Sequence, residues 1–169
     1  QSMKHSSFTK ALSLLIALAS ICATTSAAEF LEHEEQGRKE LATYMAELQV
    51  LTHKLGLSIE AKNRPLIRFY LHESLVLIED IQESLPEYEG IPVALYMDRM
   101  ALPAYQTLRE RYDTSQDRPK YFDHISTAYD GLITTCNTCH ASSSHDYIRI
   151  KRNSFNPYLQ DFSARKTSQ

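Results

Sequence analysis

Two thiols and an imidazole fall within five residues, Cys136-Asn137-Thr138-Cys139-His140. Four chemistries use such a cluster. A disulfide across two intervening residues closes a very small loop and constrains the unfolded chain little. A thioredoxin-like dithiol needs a βαβ setting, and strand patterns are scarce here. A zinc centre wants a fourth ligand and usually a second Cys/His pair, and no such pair stands at ligand spacing. Covalent attachment of a c-type haem uses the whole motif. Each thiol forms a thioether to a vinyl group, and the adjacent histidine ligates the iron. The expectation is one haem c held by Cys136 and Cys139, with His140 as the proximal iron ligand.

The rest of the cysteine count supports this. The third cysteine, Cys22, lies in an N-terminal stretch with the three parts of an export signal. Lys4 and Lys10 form a basic start, Ala11 to Ala23 are apolar except for Ser13 and Ser20, and Ser26 and Ala28 supply the small residues of a cleavage site. Residues 1–28 therefore read as a signal peptide. The apolar run is shorter than the about twenty residues that span a bilayer, so the processed chain is not expected to cross a membrane. A periplasmic location follows, outside the cytoplasm where thioether attachment is carried out. Removing Cys22 leaves both remaining cysteines inside the motif.

Charge narrows the partners. The full chain has 18 Lys+Arg against 21 Asp+Glu, a net charge of −3. Loss of Lys4 and Lys10 leaves 16 against 21 in 141 residues, enough for one domain. A nucleic-acid partner would favour a basic footprint, so nucleic acid is set aside and a basic redox partner protein fits better.

Four helices are expected to position the motif. Glu29 to Leu55 carries Leu41, Tyr44, Met45, Leu48, Leu51 and Leu55 at three- and four-residue steps, with Gly56 as the stop. Pro65 to Leu85 carries Ile67, Leu71, Leu75, Ile78, Ile81 and Leu85. Pro92 to about Tyr112 contains Pro103, which must kink or split it. The fourth opens at Pro119 and runs into the motif. The stretch from His145 to Phe162 is too apolar for a free tail and is expected to pack on the body or cover the haem edge. Residues 164–169 read as a disordered end. The fold class is all-α, an antiparallel up-down four-helix bundle with an extended C-terminal tail, in which 29–163 form the haem-binding domain.

A single Cys-x-x-Cys-His late in the last of four helices resembles the cytochrome c′ / cytochrome c-556 group. The resemblance covers most of the processed chain and rests on the motif and the architecture. It implies a periplasmic mono-haem protein that transfers single electrons, or one that binds nitric oxide or carbon monoxide at an open iron, and it admits a homodimer. An enzyme is not expected; a haem peroxidase would want a distal His-Arg pair, which is not apparent. In that group the distal residue often lies four positions after an Arg-Gln pair. Here Arg38-Lys39 is the nearest match and Ala42 stands at the distal position, which marks a divergent relative.

An up-down bundle would put His33, Arg38, Met45, Ile81, Leu85 and Met97 at the haem end, and His53, His72 and His124 toward the other. Three possibilities then stand for the sixth iron position: Met45, His33, or an open side lined by Leu41 and Ala42. The plainer role for Met45 is core packing, since Met fills cores freely; for His33 it is an exposed first turn. His145 is tethered too closely to reach the distal side. His53, His72, Glu73 and His124 could converge into a polar cluster or a second metal site, but ligand spacing is absent and ordinary surface histidines are the plainer reading. Arg38 either pairs with a haem propionate or is solvated.

Overall fold

A computed structural model describes residues 41–114 and 119–165, all within the compact unit Glu40–Gln169. Among the described residues the chain is all-helical, with no β-strand. Helix α1 covers residues 41–60 and α2 spans Arg64–Ser84. A third rod is built from α3 (Val93–Tyr96), a π-helical segment (Met97–Ala101) and α4 (Leu102–Thr114). Helix α5, Tyr121–Ser142, carries the Cys-x-x-Cys-His motif in its last turns.

The first helix passes straight through Gly56, so the expected stop there is corrected. The stop lies six residues on, where Lys62 adopts φ 54°. The amide of Lys62 donates to the Ile59 carbonyl at 3.0 Å and that of Asn63 to Ser58 at 2.9 Å, the paired bonds of a Schellman cap with lysine where glycine is usual. Gly56 serves a different purpose. A Cβ there would stand 2.5 Å from the Tyr129 hydroxyl and 2.8 Å from Cζ, so the missing side chain lets α5 approach α1.

Asn63 ends one helix and starts the next. Its Oδ1 accepts from the Leu66 amide at 3.3 Å, and Pro65 follows in the first turn, where its missing N–H costs no helical bond. The six residues of the expected α2 stripe, Ile67 through Leu85, are all buried. After Pro86, Glu89 (φ 49°) and Gly90 (φ 76°) form a two-residue turn, closed by reciprocal bonds of 3.0 and 2.8 Å between Tyr88 and Ile91. Both central residues need positive φ in such a turn.

Pro103 does not split the third rod. Leu102 reaches back five residues to the Met97 carbonyl, a widened turn just upstream of the proline. The π segment accommodates a ring that a regular α-helix would reject. Helix α5 opens at Tyr121 rather than Pro119, after Lys120 at φ 61°. Leu55, Ile67, Ile78, Tyr105, Leu108, Ile125 and Leu132 form the dry centre on which the rods meet.

The tail packs on the body in part, through Ile150, Tyr158 and Phe162, while Tyr147, Ile148 and Phe155 stay exposed. From Ser144 to Arg165 it forms an irregular strap along the body. Arg152 binds Asp130 at 2.9 Å and the Ser126 carbonyl at 3.1 Å, with its guanidinium 4.9 Å from the Tyr129 ring centre. Phe162 is buried against Tyr70, and Asn63 Nδ2 donates to the Phe162 and Ser163 carbonyls. The expected signal peptide, His33, Arg38 and residues 166–169 lie outside the described residues.

Candidate cofactor site

Residues three apart on a helix share a face, so α5 presents Cys136 and Cys139 together. Both are free thiols and half-buried. Burial pushes the Cys136 thiol up to about 11, with the nearby Cys139 adding to the effect, and burial raises Cys139 as well. Activated cysteine nucleophiles show the opposite shift. These thiols are protonated at neutral pH, which disfavours a dithiol redox or nucleophilic role.

His140 is oriented by the strap. Its Nδ1 lies 3.0 Å from the Ile148 carbonyl. A carbonyl can only accept, so Nδ1 carries the proton and Nε2 of the neutral ring keeps its lone pair. Ile148 is held in turn by its neighbours. Asn137 bonds the Ile150 backbone twice: Nδ2 donates to the carbonyl at 2.9 Å and Oδ1 accepts from the amide at 2.8 Å. The chain reverses just before this point, where the His145 amide donates to the His140 carbonyl at 2.7 Å and Ser144 sits at φ 63°. A residue between the two cysteines thus anchors the segment that orients the histidine.

A cavity of about 310 Å³ opens over this point. Cys136 and His140 line it from α5, Ala42, Met45 and Thr52 from α1, and Ile148 from the strap. Of the residues expected near the motif, Met45 and Ala42 are brought to it. Leu41 packs against the core instead, and Ile81, Leu85 and Met97 are buried without lining this space. Ile81 and Leu85 continue the α2 stripe and Met97 is buried in the π segment, so all three serve the packing between rods.

The histidines do not converge. His124 is exposed on α5, and His72 lines a separate cavity beside α2 and α4. His53 was expected at the far end, but it borders a cavity of about 230 Å³ that shares Thr52 and Ile150 with the first. Its ring lies 3.0 Å from the Asn153 carbonyl and 3.2 Å from the Tyr158 hydroxyl, so the strap brings it in. His145 bonds the Ser143 carbonyl at 2.6 Å and does not line the cavity. Among the described residues no group of three or more His, Cys, Asp or Glu is arranged to hold a metal ion. Nor is any helix among them long and apolar enough to cross a membrane.

Beneath the cavity lies a buried hydroxyl network. Thr52 donates to the Leu48 carbonyl at 2.6 Å, which uses its one proton, so the Tyr105 phenol 2.5 Å away donates to Thr52 Oγ1. Tyr129 donates to the Thr52 carbonyl at 3.0 Å. Burial raises both phenols above their ordinary range, so they act as neutral donors. Ser74 is fully buried beside Tyr105 without a hydrogen-bond partner among the described residues. Sequence reasoning missed the roles of Asn137, Ile148 and Thr52; the apolar tail was the one signal, and it pointed only toward Ile148. No family model, curated protein or solved structure matches this chain.

Proposed function

We propose that this chain is an exported, periplasmic c-type cytochrome: a covalent carrier of one haem that passes single electrons. The observation that carries the reading is how His140 is held. Metal-ligating histidines donate their other ring N–H to a carbonyl or carboxylate, which fixes the tautomer. His140 has this partner in Ile148, and it lines one cavity with Cys136 and Met45.

The donor set fits the group. Cys136 and Cys139 are free, neutral and one turn apart, as two thioether bonds require. His140 Nε2 would ligate the iron, and the Met45 sulfur would take the sixth position. Bound haem supplies a ferric/ferrous couple. The chain's own residues do the rest. Asn137 fixes the strap, the Ile148 carbonyl fixes the imidazole, and Met45 and Ile148 give the cavity apolar surface.

The finer architecture belongs to the same reading: an antiparallel up-down bundle. It is supported by contacts at both ends of the rods. Tyr112 donates to the Arg64 carbonyl and Ala94 to Pro86, while Tyr121 reaches Tyr112 and Tyr96 reaches Ser142. The acidic processed chain suits a basic redox partner. A gas-binding protein with an open distal side is the second reading, favoured by Ala42 and Ala46, two small residues that line the same cavity.

Haem staining of the purified exported protein on a denaturing gel, followed by ferrous spectra with and without carbon monoxide, tests both readings. Covalent haem and a low-spin spectrum unmoved by the gas are expected, with Met45→Ala becoming high-spin and gas-reactive. Absence of covalent haem overturns both readings. Uptake of carbon monoxide by the unmodified protein overturns the electron-carrier reading in favour of the second.

A further inference from the structure

A second, roomier cavity lies away from the motif. It measures about 580 Å³ and opens between the first half of α2 and the end of α4, a volume suited to a small organic ligand. Arg68 and His72 line it from α2, one turn apart, and Arg109 lines it from α4. Neither guanidinium forms an ion pair among the described residues. The chain is acidic overall, so two unpaired guanidiniums and an imidazole around one cavity are a local departure. Asp113 is the one carboxylate in the lining.

The remaining walls are apolar. Leu75 closes the floor as a buried side chain, Tyr112 is buried at one side, and Phe69 is 51% exposed at the rim. A half-exposed phenylalanine beside two free guanidiniums offers a surface to an apolar body and a fork to a planar anion. Arginine binds carboxylates through paired, charge-assisted N–H bonds. Phosphate shares the charge but has no apolar part for Phe69 and Leu75 to cover.

We propose that this cavity binds a small amphipathic carboxylic acid, its carboxylate between Arg68 and Arg109 and its apolar body against Phe69 and Leu75. The site is independent of the haem reading, because it shares no lining residue with the cavity over the motif.

Calorimetry on the purified exported protein with sodium octanoate as the probe tests this, with inorganic phosphate as the comparison. Saturable one-to-one binding of octanoate and no measurable binding of phosphate are expected. Arg68→Gln and Arg109→Gln should each weaken octanoate binding about tenfold or more, the usual scale for a charge-assisted bond. Both positions are exposed, so the variants should keep the far-UV dichroism of the parent. NMR shift changes should centre on His72 and Tyr112 and spare His140. Three results overturn the proposal: no octanoate binding at millimolar concentration, equal binding by the Arg68→Gln/Arg109→Gln double variant, or phosphate binding as tight as octanoate.

Discussion

Two cavities in this protein are built on opposite principles. The one over the motif has no charged side chain in its lining apart from the titratable His140 and the thiol of Cys136. The one beside α2 and α4 gathers two guanidiniums, an imidazole and a carboxylate. The first is bordered by a strap that returns from the end of α5, through Ile148 and Ile150, and the second lies between helices with Phe69 at its rim. The contrast teaches what burial is for at each place. Over the motif, partial burial raises both thiols and the strap gives the imidazole one fixed partner. At the other cavity, exposure lets unpaired charge persist at little cost, since full burial of such groups without partners would be severely unfavourable.

Substitutions can break this contrast in order of size. Gly56→Val should act hardest, because its Cβ overlaps the Tyr129 hydroxyl. It would force α1 from α5 and break the bond to the Thr52 carbonyl, costing about 3 kcal/mol or more in urea unfolding. Asn137→Leu removes both bonds to Ile150 and should cost about 1–3 kcal/mol. Its signature is faster hydrogen exchange at the Ile150 amide, with His72 and Tyr112 resonances unmoved. Thr52→Val leaves the Tyr105 phenol without its acceptor and should lower stability by about 1–2 kcal/mol. Arg109→Gln should shift stability by less than about 0.5 kcal/mol, as exposed substitutions do. A large loss from that variant would mean that the second cavity carries structural load and that the contrast drawn here is wrong.

Much of the frame was legible in residue order. The α2 stripe needed only spacing, because a helix packed on one side must repeat its apolar residues every three or four positions. The turn after Pro86 carries a local mark of another kind, since Gly90 accepts a positive φ freely. Gly56 was misread because glycine commonly ends helices, whereas its purpose here depends on Tyr129, a residue 73 positions away. Lys62 could not be foreseen as the cap, because nothing local demands a lysine in the left-handed region. Pro103 announced a disturbance but not its form. Within the site, Cys136, Cys139 and His140 announced themselves by type and spacing. Asn137 did not, because a side chain that pairs with a distant backbone leaves no periodic trace.

The strap's bonds differ greatly in the length of chain they close. His140 to Ile148 spans 8 residues and Asn137 to Ile150 spans 13, whereas Tyr70 to Gln160, Asn63 to Phe162 and His53 to Tyr158 span 90, 99 and 105. Loop-closure entropy rises with span, and contacts of long range form late in folding. The segment therefore zips from the motif outward and frays from the opposite corner, where α1 meets α2. Partial opening at that corner leaves the imidazole anchored, so the order of assembly guards His140 against the strap's own loose end.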